Sequence, residues 1–306
     1  MDRQPVQSPP ILVIGDVMLD VYATAAHKRP SPEGSGVVLV NSHVAVTRPG
    51  GAANVAVNVA HTGTAVRLLG VCGGPVLVTL LAQEPLIQLG LLTADAPICR
   101  KVRYQAGGAT VVRLDEDPAE DDYVPFHRSL ASLLAHALRE SGTVVVSDYD
   151  KGTLTGDMMA LIKTVRPTRV ICDHKRVWYD LYAEPNAVVK MNMIEAKRLS
   201  GRSKPEDVRS TLLERIAGTL VITDGDKPVW YGTQGTGLVP RPVTRVKPIS
   251  VVGAGDTAAA VLAVALSSGH PLDHAVELMV AACTAVITQP GTTPLDPDSW
   301  RSIYQR

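Results

Sequence analysis

Residues 253–256 read Gly-Ala-Gly-Asp and run straight into an apolar stretch, AAAVLAVAL at 258–266. Glycines at a helix start leave backbone N–H groups unobstructed, and the helix dipole adds to their pull on an anion. An aspartate directly after them lies beside a bound phosphoryl group, placed to take the proton of an attacking hydroxyl. That is the general-base role in phosphoryl transfer, a reaction catalysed mostly by positioning and charge stabilisation. The plainer reading of Asp256 is an ordinary first-turn acid. The chain has no G-x-x-x-x-G-K-[ST] and no strand–GxGxxG–helix unit, which disfavours P-loop and dinucleotide-binding readings.

A second glycine element, RPGGAANVAVNVAHTG at 48–63, also opens a helix. Gly50 and Gly51 permit close approach of backbone to a ligand, and Asn54 can hydrogen-bond a hydroxyl; a simple turn is the alternative. Asp16 and Asp20 follow the first apolar run. Either can cap a turn, and Asp20 is also a natural acceptor for paired sugar hydroxyls. Polar residues recur after later apolar runs: Asp148-Tyr149-Asp150-Lys151-Gly152, Asp173-His174-Lys175, Asn192 with Glu195, and Thr223-Asp224-Gly225. Each alone reads as a cap or turn. Five such ends together predict a polar cleft.

The elements that must position them alternate. ILVIG (11–15), AVRLLGVCG (65–73), TVVVSD (143–148), RVICD (169–173), AVVKMN (187–192) and TLVITDG (219–225) read as buried strands. Helices are predicted over 52–63, 127–140, 155–165, 193–200, 205–217, 255–268 and 272–288. The pattern predicts an α/β fold with a mostly parallel sheet covered on both faces, whose ligands lie beyond the carboxyl ends of the strands. Two half-polar stretches, 36–46 and 99–117, read as hairpin-type strands of a small projecting sheet, the second turning at Gly107-Gly108. With no repeat and no linker, residues 1–306 read as one domain with a lid.

Composition narrows the class. The 306 residues are 45% hydrophobic and 20% charged, enough for a large core. Lys+Arg and Asp+Glu balance at 30 each, which argues against nucleic-acid or membrane-surface partners. The four dispersed cysteines point to a reducing compartment rather than disulfides or zinc. No apolar run approaches the roughly 18 residues of a membrane span, and ILVIG is too short for a signal peptide. A cytoplasmic protein is expected.

Three motifs in order, GG-x-x-N at 50–54, N-x-x-E at 192–195 and GAGD at 253–256, resemble the ribokinase (PfkB) family of carbohydrate kinases over essentially the whole chain. Within it, ILVIGDVMLDVY, PSPEGSGVVLVN, RPGGAANVAVNVA, VRLDED, SDYDKGTL and CDHK look like segments of D-glycero-D-manno-heptose 7-phosphate kinases. Those enzymes often carry a fused nucleotidyltransferase domain, which is not expected here. The resemblance implies a ribokinase-like three-layer sandwich with a small β-sheet lid from about 20–48 and 98–115, which in this family commonly makes a homodimer contact. It implies ATP and Mg²⁺, with Asp256 as base and Gly253, Ala254 and Gly255 as anion hole. Asn192 and Glu195 would organise Mg²⁺ and the phosphates through water, and Thr223 and Gly225 would line the nucleotide pocket. Asp20, Gly50, Gly51 and Asn54 would hold sugar hydroxyls. Lys151 and Lys175 would meet the sugar's distal phosphate, or else stand as solvated surface lysines.

The resemblance has gaps. Relatives usually carry Asp-x-Thr before GAGD, helping to hold a monovalent cation; here Ser250 and Val252 stand there, which argues against potassium activation. Pro228 replaces a usual glycine of the nucleotide loop, and CGGP at 72–75 replaces a usual acidic pair. The implied reaction is ATP-dependent phosphorylation of heptose 7-phosphate at its anomeric hydroxyl. The alternatives are a ribose, fructose-phosphate or nucleoside kinase, or a sugar-phosphate-binding module without turnover.

Overall fold

The computed structural model describes residues 9–93 and 95–305. The N-terminal residues 1–8 of the single-domain reading lie outside them. In chain order the strands are β1 (Ile11–Gly15), β2 (Val17–Ala25), β3 (His27–Pro30), β4 (Val37–Val40), β5 (His43–Gly51), β6 (Val66–Val71), β7 (Ile87–Leu92), β8 (Cys99–Ala106) and β9 (Ala109–Glu116). They continue with β10 (Thr143–Asp148), β11 (Arg169–His174), β12 (Ala187–Asn192), β13 (Thr219–Asp224), β14 (Lys227–Thr233) and β15 (Gly237–Arg241). The helices are α1 (Ala52–His61), α2 (Pro75–Leu81), α3 (Val124–Ala137), α4 (Gly156–Val165), α5 (Tyr179–Tyr182), α6 (Met193–Ser200), α7 (Pro205–Arg215), α8 (Ala254–Ser267), α9 (Leu272–Ile287) and α10 (Pro297–Tyr304).

A nine-stranded sheet runs β15-β14-β13-β12-β11-β10-β1-β6-β7. From β13 to β7 the pairings are parallel, and β14 and β15 close the other edge antiparallel. Continuous apolar strands suit this, because both faces are buried. In β1, Ile11 and Val13 join one core with α1, α8 and α9, while Leu12 and Ile14 join another with α3, α4, α6 and α7. Alternate residues of a strand point to opposite faces, so β1 is a spine shared by two cores. Strand order reverses around β1, and that switch point opens a crevice at the carboxyl edge.

A second sheet, β5-β2-β8-β9, stands apart from the first. The chain enters it from β1 across the single residue Asp16. β8 and β9 form the hairpin expected over 99–117, turning at Gly107 and Gly108, both with positive φ. The stretch 36–46 is corrected: Asn41 adopts φ 54° and divides it. β4 then pairs only with β3 as a separate ribbon, and β5 pairs with β2. Strand β2 was hidden in GDVMLDVY because Asp16 and Asp20 interrupt its apolar run, so the stretch reads as polar chain after β1.

Candidate active site

Helix α8 begins at the crevice because Gly253 caps it at φ 86°, a left-handed conformation that glycine adopts without strain. A Cβ there would come within 2.9 Å of Asn54 Nδ2. Ala254 N reaches Val251 O at 3.4 Å and Thr257 N reaches Gly253 O at 3.0 Å. Between them, the amides of Gly255 and Asp256 have no backbone acceptor among the described residues. First-turn amides are left free by helix geometry. Here two of them stay free at the mouth of α8, near Asn54 and Lys190.

Asp256 is 3% exposed. The Tyr149 hydroxyl donates to its Oδ1 at 2.5 Å, and Asn54 Nδ2 donates to its Oδ2 at 2.7 Å. Burial pushes the carboxyl up to about 6; these two donors and Lys190 pull it back, while Asp173 adds to the rise. Asn54 is aimed by Asn58, whose Nδ2 donates to both the Asn54 carbonyl and Oδ1. Helix α1 starts at Gly51, where φ is 56° and a Cβ would lie 2.4 Å from the Asp16 carbonyl.

Asp16 organises the other wall. Its Oδ2 accepts from Tyr149 N at 2.6 Å and Lys151 N at 3.2 Å, and its Oδ1 accepts from Thr153 N at 3.3 Å. These bonds fold the loop after β10 so that Tyr149 reaches Asp256. Lys101 Nζ lies 4.7 Å from the centroid of the Tyr149 ring and Lys175 Nζ lies 5.6 Å from it, both within cation–π range.

The remaining candidates fall into three groups. Asp20 is buried beside Gly50, with Oδ1 accepting from Arg103 at 2.5 Å and Oδ2 from the Thr292 hydroxyl at 2.9 Å. Asn192 and Glu195 form a reciprocal cap on α6: Glu195 N donates to Asn192 Oδ1, and Asn192 N donates to Glu195 Oε2, each at 2.9 Å. Lys175 pairs with the other oxygen of Glu195, while Lys151 pairs with Asp117 at 2.5 Å. Thr223 and Gly225 line a mostly apolar cavity of about 260 Å³ with Val229, Met279, Ala254 and Gly255. Ala254 and Gly255, which line this cavity, stand in the first turn of α8 directly before Asp256. Among the described residues no three His, Cys, Asp or Glu side chains gather as a metal cage.

Sequence reasoning missed Lys101, Arg103, Thr292 and Lys190 as site-forming residues, and named Tyr149 only within a strand end of the cleft, with no role of its own. Lys190 carried the clearest signal, a charge inside the apolar strand AVVKMN. Nothing local marks Arg103 or Thr292, because their partner Asp20 lies far away in sequence.

The description "pfkB family carbohydrate kinase" matches residues 9–299. The bifunctional protein HldE of Azorhizobium caulinodans is 32% identical, with 98% of this chain and 65% of that protein covered. The bifunctional protein HldE of a Caulobacter species is 35% identical over 94% of this chain and 61% of its own length. The chain therefore spans less than two thirds of these relatives. Phosphofructokinase-2 from Escherichia coli, solved in complex with substrates and products, superposes with a TM-score of 0.77 at 23% identity, covering 97% and 98% of the two chains. Ribokinase from Thermotoga maritima superposes at 0.78 with 19% identity, covering 97% and 100%. The expected ribokinase-like architecture is thereby shown.

Proposed function

This chain belongs to the pfkB family of carbohydrate kinases, and on that premise we propose that it transfers the γ-phosphoryl group of ATP to the anomeric hydroxyl of D-glycero-D-manno-heptose 7-phosphate. The observation that carries the reading is Asp256 at the free amides of α8, with both carboxylate oxygens oriented by donors from two other elements. The P–O bond to ADP breaks as the bond to the sugar oxygen forms, and the hydroxyl proton passes to Asp256. The amides of Gly255 and Asp256 stabilise the charge on the transferring group. The Tyr149 hydroxyl donates to Asp256 as an incoming alcohol would, and so marks the direction of proton transfer.

Nucleotide occupies the cavity lined by Thr223 and Gly225, whose apolar walls suit a base. Sugar occupies the wall of Asp20, Gly50, Gly51 and Asn54, under a lid made by β5-β2-β8-β9. Lys151 and Lys175, joined by Lys101, meet the distal phosphate; Lys101 and Lys175 lie over the Tyr149 ring, and two cations on one ring favour a substrate that already carries a phosphate. The heptose itself is supported by the segment resemblance. Magnesium neutralises the nucleotide's phosphate charge when bound. One carboxylate and one amide, Glu195 and Asn192, fit an ion whose inner ligands are mainly phosphate oxygens and water.

The lid sheet exposes Val44, Val112 and Leu114 at 60%, 50% and 48%, which supports a homodimer through the lid. Among the described residues no helix is long and apolar enough to cross a membrane. The deciding experiment is transfer of ³²P from ATP to a panel of sugar phosphates. Transfer to heptose 7-phosphate above ribose, fructose 6-phosphate and nucleosides is expected. Binding of sugar phosphates without any transfer would replace this reading with a binding module.

A further inference from the structure

Both ends of the lid hairpin β8–β9 meet at Asp117. It is the residue after β9, where the chain leaves the lid, and Cys99 opens β8, where the chain enters. The Cys99 thiol donates to Asp117 Oδ1 at 3.0 Å. Burial and then Asp117 itself push that thiol up, so it keeps its proton. On the other side, Asp117 Oδ2 lies 2.5 Å from Lys151 Nζ. Lys151 belongs to the loop that Asp16 folds, two residues beyond Tyr149. The bond to Cys99 stays within the hairpin, whereas the bond to Lys151 leaves it for the wall that holds Tyr149.

Burial presses the Asp117 carboxyl up, but the Cys99 thiol, Lys151 and Lys101 outweigh it and hold it below the usual carboxylate value, so it is charged at neutral pH. The lysines assigned to the acceptor's distal phosphate therefore already carry acids: Asp117 holds Lys151 and acts on Lys101, and Glu195 holds Lys175. The Lys151 and Asp117 side chains are 20% and 34% exposed. A pair that water reaches is worth little on balance and exchanges readily. A phosphate monoester brings close to two charges and three acceptor oxygens, against one charge and two oxygens for a carboxylate. Two anions crowded on one ammonium repel each other, so one replaces the other.

Resting on the kinase reading above, we propose that Asp117 is a specificity-determining residue: its carboxylate occupies the place of the acceptor's distal phosphate on Lys151, and an acceptor gains Lys151 only by displacing it. Asp117 thereby sets how strongly the chain favours a phosphorylated sugar over the same sugar without its phosphate. The transfer leaves the distal phosphate unchanged, so whatever grips it holds product as firmly as substrate and adds nothing to turnover. A built-in competitor lowers that uniform grip and lets the bisphosphate depart. Asp117 keeps the Cys99 thiol while Lys151 turns to phosphate.

The test is calorimetric binding of heptose 7-phosphate, and of the same heptose without phosphate, to the full chain and to Asp117→Asn. The variant is expected to bind heptose 7-phosphate roughly threefold to fivefold more tightly, the scale of one partly exposed ion pair, with the plain heptose unchanged within about twofold. In a Lys151→Met background most of that gain should vanish, because the competitor acts through that ammonium. Unchanged or weaker binding of heptose 7-phosphate by folded Asp117→Asn overturns the proposal, since a residue that merely positions Lys151 or the lid gives that result. An equal gain for both sugars overturns it too. If Asp117→Asn does not fold, the ¹³C signal of the Asp117 carboxyl in the unaltered chain decides, and no shift on saturation with heptose 7-phosphate overturns the proposal. Binding of heptose 7-phosphate without transfer from ATP overturns the kinase reading alone. No binding by the unaltered chain overturns the substrate reading, and this assignment with it.

Discussion

Asn54 and Asp256 each occupy the third position of a helix, and the amide of one donates to the carboxylate of the other across 2.7 Å. They are 202 positions apart in the chain. The bond ties the mouths of α1 and α8 together. Behind it, the Thr257 hydroxyl and Leu295 N both donate to Asn58 Oδ1, so the two helices share a buried polar seam.

Replacing Asp256 by Asn removes the base while leaving a neutral amide of the same shape. Turnover should fall about 1,000-fold, within the range for a lost general base, while sugar-phosphate KM changes little. Stability should move the other way. The native pKa of about 6 lies above the ordinary 3.8, so ionising Asp256 costs native-state stability as pH rises from 3.8 and fully above about 6. Asp256→Asn should melt higher than the unaltered chain at pH 8, an advantage gone near pH 4.

Tyr149→Phe deletes one of the two donors that favour the Asp256 carboxylate. Tyr149 is itself held protonated, chiefly by burial and then by the charge of Asp256. With Asn54 and Lys190 alone opposing burial and Asp173, the acid limb of kcat/KM should move upward from about 6 by up to about one unit. A pH–rate profile measures this, and an unmoved limb would show that the phenol does not act on the base.

Arg103 and Asp20 form a buried pair, with side chains 8% and 6% exposed. Arg103→Met leaves the Asp20 carboxylate unpaired and should destabilise the fold by about 3–5 kcal/mol. The double variant Arg103→Met/Asp20→Asn should recover most of it in urea unfolding. Equal losses in both would mean the packing of the arginine, rather than its charge, matters there.

Ser250 uses its hydroxyl locally, accepting from Val252 N at 3.2 Å, and Val252 has no oxygen to offer a cation. Replacing potassium chloride with tetramethylammonium chloride at constant ionic strength should change the rate less than about twofold. A severalfold loss would reveal a cation site built from backbone carbonyls.

The parts of this fold that alternate strongly were legible in the sequence. The strands 143–148 and 187–192 match the structure end to end, because an apolar run buried on both faces begins and stops abruptly. Helix 193–200 was equally clear, since Asn192 and Glu195 spell a reciprocal cap. The glycine motifs identified the two helix mouths. What the sequence did not reveal were the partners across the crevice: Tyr149 on Asp256, Arg103 on Asp20, Lys190 against Gly255. Each contact depends on which strand lies beside which, and no local pattern encodes that. Val17–Ala25 was lost for a different reason, since Asp16 and Asp20 interrupt its apolar run and make it read as polar chain following the first strand.

Asp16 has a mechanical consequence. Its amide donates to Ser147 O at 3.0 Å in the main sheet, its carbonyl accepts from Ala52 N at 2.9 Å at the start of α1, and its carboxylate gathers the amides of 149, 151 and 153. The phenol of Tyr149 and the amide of Asn54 are therefore suspended from one common pivot, which is also where the chain crosses between its two sheets. A displacement of that pivot carries both arms in the same direction. The two donors that grip Asp256 thus share one attachment, at the residue where the chain passes from one sheet to the other.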